Sequence, residues 1–370
     1  MAQNYRDAIF RLPSLRKQSS VWEQPANRLT RRHASLYCGM ALLMSSPPLH
    51  VVVLLPVRDD WISAAELIAS LDRTISASKS NVCLDVLMVD DASVESWLST
   101  QFDIRFSVVR RVQVLRLLRN LGHQRAIAAG LVHIEAKMPC EAVLVMDADG
   151  EDTPSGALQL IEEFLQARGK VLVFAERARR TESLMFRAFY QTYKALHRIL
   201  TGISVRVGNF SIMPRTYLGT MIVVSELWNH YAAAVFRSRL SFTMIPIPRG
   251  HRIAGSSHMN FAALVIHGLS AVSVFAEEVG VRLLIGTLSG SLGVVIGFAI
   301  FLLVRMLTNH SLPGWTNYVI GTLSIILIQV VTIAACFTFF MLSGRAAMAF
   351  IPRRDAPLFV KEVLNIYPND

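Results

Sequence analysis

The sequence has little cysteine, and what it has is scattered. Its 370 residues contain four cysteines, Cys38, Cys83, Cys140 and Cys336, with no Cys-x-x-Cys spacing. A structural zinc site or a disulfide framework needs cysteines grouped at short spacings. Both are therefore disfavoured, and a reducing compartment is the simpler expectation.

The N-terminal region lacks the sustained apolar run that a secretory signal requires. Residues 1–36 are polar and contain a spread of basic side chains: Arg6, Arg11, Arg16, Lys17, Arg28, Arg31 and Arg32. We predict that residues 1–48 form a basic, mobile tail that rests on anionic lipid.

Charged residues are scarce, at 17% of the chain against 52% hydrophobic, and the apolar excess is concentrated in residues 283–342. The runs 283–304 and 318–342 are each long enough to cross a hydrocarbon core of about 30 Å at 1.5 Å per residue. The sequence therefore predicts a transmembrane hairpin at 283–342, followed by a basic C-terminal tail at 343–370.

The link between these runs, 307–317, lacks lysine and arginine, whereas basic residues flank the hairpin on its other side: Arg282, Arg345, Arg353, Arg354 and Lys361. This asymmetry predicts a multi-pass protein of the cell (inner) membrane with both termini in the cytoplasm. Arg305 is the exception, and its long stem can snorkel toward the link. The net charge of +10 suits anionic lipid or phosphorylated substrates; nucleic acid is disfavoured, because the arginines are dispersed among acidic residues.

Apolar runs also recur before the hairpin, about every 30 residues. They lie at 49–57, 84–90, 112–118, 142–148 and 170–176, with helix-like stretches at 61–78, 122–137 and 154–167 between them. Continuous apolar strands that alternate with helices predict an α/β domain, residues 49–250, with a parallel sheet and helices on both faces. Such sheets bind ligands at the carboxyl ends of their strands.

Acidic residues stand at those carboxyl ends. Asp147 and Asp149 follow the fourth run, and Asp90 and Asp91 follow the second. If the fourth strand stays extended, Asp147 and Asp149 point to one side and can reach one Mg²⁺ or Mn²⁺, with open positions for substrate phosphates. The alternative is that they cap the helix that begins near Thr153, whose N-terminus favours negative charge. The second acidic pair favours a metal bridged to a diphosphate.

Two further stretches have amphipathic character. Residues 181–200 mix aromatic and basic side chains at helical spacing, which fits a helix on a membrane surface or an ordinary surface helix equally well. Residues 259–275 are apolar but short for a span, and they contain His267. An interfacial helix is the preferred interpretation, within a juxtamembrane region 251–282.

Six ordered motifs resemble the family 2 glycosyltransferases, and most closely the branch that loads sugars onto polyprenyl phosphates. They are LLPVRDD (54–60), VDDAS (89–93), RLLRNLGHQRAIAAGL (116–131), VMDADGEDTP (145–154), GNFSIMPR (208–215) and RIAGSSHMN (252–260). The resemblance covers residues 49–282. It implies a Rossmann-like GT-A domain that binds a nucleotide sugar, followed by amphipathic interfacial helices and the transmembrane hairpin.

The resemblance also implies roles for individual residues. Residues near the nucleotide sugar would be Pro56, Arg58, Asp60, Asp90, Asp91, Arg119, Gly122, His123, Asp147, Arg252 and His258. The metal motif reads Asp147-Ala148-Asp149-Gly150-Glu151, which makes Asp147, Asp149 and Glu151 the metal set. The catalytic set is Asp149, Asn209 and Arg177, and in relatives the arginine at the position of Arg177 faces the acceptor phosphate.

Several positions depart from the family pattern; among them, Glu151 replaces a glutamine, Asn209 an aspartate and His258 a lysine. Asn209 cannot act as a general base, which typically contributes about 10²- to 10⁴-fold. A phosphate acceptor is already ionised and needs positioning and charge neutralisation instead. The asparagine is therefore compatible with a lipid-phosphate acceptor, although an inactive member of the family is the alternative.

Together these observations predict a membrane-bound inverting glycosyltransferase. It would use Mg²⁺ or Mn²⁺ and transfer a sugar from a nucleotide-diphosphate sugar to a polyprenyl phosphate at the cytoplasmic leaflet. The alternatives are a different lipid or glycan acceptor, or a non-catalytic membrane protein that binds nucleotide sugars. The sugar, the base and the oligomeric state, including a homo-oligomer, are left open.

Overall fold

The structure is a computed structural model that describes residues 47–94, 105–177, 199, 207–253, 269–270, 272–308, 315–346 and 349–368. It contains one eight-stranded sheet in the order β7-β5-β6-β4-β1-β2-β3-β8. The strands are β1 (Leu49–Val57), β2 (Val82–Asp90), β3 (Val109–Leu117), β4 (Ala142–Val145), β5 (Leu172–Arg177), β6 (Val207–Pro214), β7 (Phe242–Ile247) and β8 (Val360–Tyr367). The helices are α1 (Trp61–Ala77), α2 (His123–Lys137), α3 (Pro154–Gln166), α4 (Arg215–Met221), α5 (Tyr231–Arg237), α6 (Ala276–Thr308), α7 (Trp315–Ala346) and α8 (Pro352–Asp355), with 3₁₀ turns at Ser225–Trp228 and Ala356–Phe359.

The five strands predicted from the apolar runs are confirmed as β1 to β5, with ends displaced by up to three residues (112 against Val109, 148 against Val145). The three predicted helices are confirmed as α1, α2 and α3. Strands in the middle of the sheet are covered on both faces, and β2 is buried along its whole length. That is why their sequences are continuous apolar runs rather than alternating ones.

The sheet is mixed, which corrects the prediction of a purely parallel one. Strands β1, β2, β3 and β4 pair in parallel, but β6 runs antiparallel to both β4 and β5. Helices α1 and α3 pack on one face, and α2, α4 and α5 pack on the other. Strand β1 lies between β4 and β2. The chain adds β2 and β3 on one side of β1 and then returns to place β4 on the other side, so the strand order reverses at β1. A cleft for ligands is expected at the carboxyl edge of such a switch point.

The C-terminal region is not a tail, and that prediction for residues 343–370 was wrong. Strand β8 lies antiparallel to β3, with Val363 opposite Leu115 and Val360 opposite Leu117. Before it, the ring of Phe350 stacks on Trp228 with centroids 4.2 Å apart. Antiparallel pairing with β3 and this aromatic contact therefore return the chain to the sheet after the second long helix.

Helices α6 and α7 contain the two predicted membrane runs. Each is long and apolar enough to cross a bilayer: an 18-residue window reaches a mean hydropathy of 2.3 within Ala276–Leu307 and 2.4 within Asn317–Phe340. They pack against each other, while their apolar surfaces otherwise remain exposed. Exposed apolar helices of this length indicate membrane association.

The base of α6 is attached to the α/β domain. Val274, Phe275 and Val279 pack with Ala233 of α5, and Arg237 at the end of α5 forms ion pairs with Glu277 and Glu278. The helix predicted at 181–200 lies outside the described residues except for Ile199, as does most of the stretch 259–275.

Candidate active site

Most of the predicted site residues that the structure describes lie at the carboxyl edge of the sheet. The loops that follow β1, β2 and β4 converge there, together with the N-terminus of α2, the beginning of β6 and the loop after β7. Pro56 lies near the end of β1 opposite Val89. Arg58 follows it and is exposed.

The acids after β4 lie in a closed turn and not on an extended strand, because β4 ends at Val145. The backbone N–H of Asp147 donates to Asp152 at 2.8 Å, and that of Glu151 donates to Asp149 at 2.9 Å. Gly150 has φ +86°, and a Cβ at this position would collide with Ile253. The interpretation that Asp147 and Asp149 share one side of an extended strand is thus replaced by a turn.

The capping alternative is accounted for by other residues. Thr153 accepts a hydrogen bond from the N–H of Gly156 at 3.1 Å, and Pro154 occupies the first position of α3. Threonine followed by proline is a strong helix start in its own right. The helix therefore does not need Asp147 or Asp149 as its cap.

Arg252 reaches these acids from the loop after β7. Its guanidinium donates to Asp149 at 2.8 Å and lies 3.8 Å from Asp60. The N–H of Ile253 donates to the carbonyl of Asp149 at 2.9 Å, which ties the loop to the turn. Burial and the charge of Asp147 raise the pKa of Asp149, while Arg252 acts in the opposite direction.

Glu151, which the resemblance assigned to the metal set, is paired in a different way. It forms an ion pair with Arg249, three residues before Arg252. The N–H of Gly250 donates to the carbonyl of Glu151 at 2.8 Å. Glu151 therefore helps to hold the arginine-bearing loop in place, and its role as a metal ligand stays a prediction.

A chain of polar side chains runs from α5 to the acids. The N–H of Tyr231 donates to Oε1 of Gln124 at 2.7 Å, and Nε2 of Gln124 donates to Oδ1 of Asn209 at 3.1 Å. Nδ2 of Asn209 lies 2.9 Å from Nε2 of His123, which in turn lies 3.2 Å from Oδ1 of Asp147. Both amide side chains are buried.

The protonation of His123 is set by competing effects. Burial lowers its pKa, but the negative charges of Asp147, Asp149 and Asp91 together raise it above the ordinary histidine value. Part of the ring remains open to solvent, since 42% of the side chain is exposed.

The acids after β2 hold backbone as well as facing the cleft edge. Asp91 accepts hydrogen bonds from the N–H groups of Leu121 at 2.6 Å and Gly122 at 2.9 Å, at the N-terminus of α2. Gly122 has φ +92°, a conformation that suits glycine. Burial raises the pKa of Asp91, while these N–H groups act in the opposite direction. Asp90 accepts from the N–H of Ser93 at 2.8 Å and contacts Arg116 at 3.4 Å.

The remaining predicted residues are distributed as follows. Arg177 is the last residue of β5, opposite Ile247 of β7, and the residue before it pairs with Val207, two positions before Asn209. Arg119 lies over the ring of Phe359, 5.7 Å from its centroid. His258 lies outside the described residues. Sequence reasoning missed Gln124, Arg116, Arg249 and Asp152; the position of Gln124 next to His123 was the only local sign of its role.

The donor set at the turn fits a hard divalent cation. Within the described parts of the chain, three or more His, Cys, Asp or Glu side chains do not come together as a metal-binding group. Asp147 and Asp149 supply carboxylate oxygens at the cleft, with 21% and 11% of their side chains exposed. Mg²⁺ is commonly bound by one or two carboxylates, with waters and substrate phosphates completing its coordination. Two carboxylates are therefore a sufficient protein contribution.

The family model described as Glycosyl transferase family 2 matches residues 55–222. The uncharacterized glycosyltransferase YkcC of Bacillus subtilis is 24% identical over 72% of this chain and 81% of its own length. Undecaprenyl-phosphate 4-deoxy-4-formamido-L-arabinose transferase of Salmonella choleraesuis is 26% identical over 73% of this chain and 80% of its own length. Among solved structures, mannosyl-3-phosphoglycerate synthase from Rubrobacter xylanophilus is 16% identical with a TM-score of 0.44, over 68% of this chain and 77% of that one. The family resemblance is confirmed over residues 55–222, which form a glycosyl transferase family 2 domain, and the relatives that match most of the chain are named glycosyltransferases.

Proposed function

We propose that the protein transfers a sugar from a nucleotide-diphosphate sugar to a polyprenyl phosphate at the cytoplasmic leaflet, with inversion at the sugar carbon. The observation that carries this proposal is the turn of Asp147 and Asp149 against Arg252, at the carboxyl edge of β4. It combines the carboxylates that a divalent cation needs with a guanidinium that suits a diphosphate.

On the donor side, Arg252 is the residue for the diphosphate. It contacts Asp149 and lies 3.8 Å from Asp60, so its guanidinium stands beside the acids that would hold the metal. A diphosphate offers that fork a charge-assisted, bidentate contact of the kind that arginine forms best. Mg²⁺ or Mn²⁺, when bound by Asp147 and Asp149, would offset the charge that builds on the leaving diphosphate.

On the acceptor side, the chemistry does not need a general base. An oxygen of the acceptor phosphate attacks the anomeric carbon, the bond from that carbon to the diphosphate oxygen breaks, and the nucleoside diphosphate leaves. The acceptor phosphate is already ionised, so proton removal does not limit this step. Asn209 can therefore stand where the family has an aspartate, and Arg177, at the same edge of the sheet, would bind the acceptor phosphate.

The membrane helices support a lipid acceptor. Helix α6 begins after β7 and α7 ends before β8, and both strands belong to the same sheet. If α6 and α7 span the bilayer, the hairpin must therefore leave and re-enter on the side of the α/β domain. The name of the Salmonella relative specifies undecaprenyl phosphate, which suggests a polyprenyl phosphate as the acceptor here.

The test is a transfer assay with the full-length protein in membranes. Nucleotide sugars with a radiolabelled sugar are offered one at a time, with and without added polyprenyl phosphate, and label in the organic phase is counted. We expect incorporation for one donor that depends on the added lipid phosphate. Label on a glycolipid or soluble glycan without polyprenyl phosphate would overturn the acceptor assignment. Absence of transfer with every donor would favour a non-catalytic nucleotide-sugar-binding protein.

A further inference from the structure

The C-terminal segment, residues 349–368, reaches the carboxyl edge of the sheet, where the candidate site lies. Strand β8 runs antiparallel to β3, so it begins beside the carboxyl end of β3, with Val360 opposite Leu117. Strand β8 pairs with β3, and Glu362 stands opposite Arg116 in that pairing. On its other side, β3 pairs with β2, where Arg116 stands opposite Asp90. Arg116 therefore lies between an acid of β2 and an acid that the chain supplies only after α7.

Both acids contact the guanidinium of Arg116. Nη1 donates to Glu362 at 2.6 Å, and Nε donates to Asp90 at 3.4 Å. The Asp90 side chain is only 3% exposed, whereas 32% of the Arg116 side chain is exposed. The contact to Glu362 is the shorter one, and the guanidinium forms a single, long contact with the buried Asp90.

Arg116 retains hydrogen-bonding capacity in this position. A guanidinium has five N–H groups, and the described residues accept from Nη1 and Nε only. The remaining groups can donate to a carbonyl or hydroxyl oxygen of a ligand. Asp90 also accepts from the N–H of Ser93 at 2.8 Å, so this cluster is part of the loop after β2.

A second contact from the C-terminal segment reaches the same edge. The ring of Phe359 lies beneath the guanidinium of Arg119, 5.7 Å from carbon to centroid. The carbonyl of Phe359 also accepts from the N–H of Leu118 at 2.8 Å. The segment therefore contacts two arginines at the carboxyl end of β3: Arg116, within the strand, and Arg119, two residues after its last residue.

We propose that Arg116 binds the base or ribose of the donor nucleotide, and that Glu362 of the C-terminal strand positions it for that contact. This inference rests on the proposed function, because it assumes a nucleotide donor. It makes the segment beyond the membrane hairpin a component of the donor site: Arg116 donates to the ligand, and Glu362 prevents its guanidinium from closing onto Asp90.

The test measures nucleotide binding separately from transfer. Full-length protein in detergent is titrated with UDP, GDP, CDP, ADP and dTDP by calorimetry, and the nucleotide that binds is carried forward. For contacting residues that couple by the usual amounts, we expect Arg116→Ala to weaken its binding about tenfold or more and Glu362→Gln about threefold to tenfold. The donor KM should rise in parallel, while the acceptor KM changes little. Glu362→Asp, which keeps the charge, should recover part of the loss.

Glu66→Gln is the matched control. Glu66 pairs with Arg73 at 2.8 Å, and both side chains are largely exposed on α1, so this variant also removes one charge and one ion pair. It should bind nucleotide like the wild type. Thermal unfolding of each variant separates lost binding from lost folding; if Arg116→Ala does not fold, Glu362→Gln and Arg116→Lys, which preserve a cation beside Asp90, decide the question.

The outcomes separate the two proposals. If the wild type binds a nucleoside diphosphate and folded Arg116 and Glu362 variants bind it equally well, β8 has only a structural role and this inference is wrong. If the wild type binds none of the nucleoside diphosphates, the proposed donor is wrong and the inference falls with it. Weakened binding in the Arg116 and Glu362 variants with a normal Glu66→Gln variant supports both.

Discussion

The side-chain nitrogen of Asn209 lies 2.9 Å from Nε2 of His123. The orientation of the Asn209 amide follows from the backbone of Tyr231. The N–H of Tyr231 donates to Oε1 of Gln124, which leaves Nε2 of Gln124 to donate to Oδ1 of Asn209. The NH₂ group of Asn209 therefore faces the imidazole of His123. An amide donor favours a His123 Nε2 that accepts. Asp147, at 3.2 Å from the same nitrogen, favours one that donates. The two neighbours thus favour opposite proton positions on His123.

We expect Gln124→Leu to destabilise the domain by about 2 kcal/mol or more, because each buried polar group that loses its partner costs about 1–3 kcal/mol. The substitution leaves the N–H of Tyr231 and Oδ1 of Asn209 without the partner they have here. Chemical denaturation in detergent measures the free energy of unfolding. Gln113→Leu is the control, since Gln113 bonds Asn365 at an exposed position; an equal loss in both variants would contradict a special role for Gln124.

Asn209→Asp tests whether the reaction needs a general base. With a phosphate acceptor, we expect the turnover of this variant to stay within about tenfold of the wild type, because the nucleophile is already ionised. With a hydroxyl acceptor, a new carboxylate base would add about 10²-fold or more. Steady-state kinetics with saturating donor distinguishes the two. Asn209→Ala, which removes the amide without adding charge, shows how much depends on the hydrogen bond to His123.

Asp149→Ala should reduce transfer by at least about 10²-fold, the usual cost of losing one preorganised electrostatic group at a reacting centre. EDTA should have the same effect on the wild type until Mg²⁺ or Mn²⁺ is returned. Glu151→Gln, which restores the family's usual residue and removes the ion pair with Arg249, should retain most activity. Transfer that continues in the presence of EDTA would exclude a metal role for this turn.

The sequence predicted the parts of this architecture that local pattern determines. Strands β1 to β5 are apolar runs, and the acids after β2 and β4 stand where such strands end. The turn of Asp147 was not predicted, because it depends on Asp152 five residues later. Strand β8, VKEVLNIY, is neither a continuous apolar run nor a regular alternation of polar and apolar residues. Its contact Arg116–Glu362 joins residues 246 apart across the hairpin. Gln124 has its role only because Tyr231, 107 residues away, packs against it.

The burial of Asp91 predicts a pH dependence of stability. Its pKa is raised by burial above the ordinary value of about 3.9. At pH values between the ordinary pKa and the raised pKa of the folded state, Asp91 is protonated more in the folded protein than in the unfolded chain. The free energy of unfolding therefore falls as the pH rises through this window. Asp91→Asn should remove this slope above about pH 4, as measured by unfolding midpoints across a pH series.

Asp355 provides a control of opposite sign. The hydrogen bond from Arg354 lowers its pKa, so its contribution is present above the ordinary value and is lost as the pH falls. Subtracting the Asp355→Asn curve from the wild-type curve should therefore give a stabilisation that grows with pH. Two difference curves of the same sign would show that the Asp91 assignment is wrong.

The last prediction concerns the topology of the membrane hairpin. Since β8 pairs with β3, residues of the C-terminal strand and of the α/β domain must lie on the same side of the membrane. In a chain with its four cysteines replaced, single cysteines at Lys79, Ser343 and Lys361 should resist an impermeant thiol reagent added outside intact cells, because we place the domain in the cytoplasm. A cysteine at Ser311, in the link without lysine or arginine, should react. All four should react after the cells are opened, which confirms that each thiol is accessible.

Labelling of Lys79→Cys and Lys361→Cys from outside would invert the orientation and separate the site from cytoplasmic nucleotide sugars. Protection of Ser311→Cys in intact cells would instead mean that α6 and α7 do not both cross the bilayer.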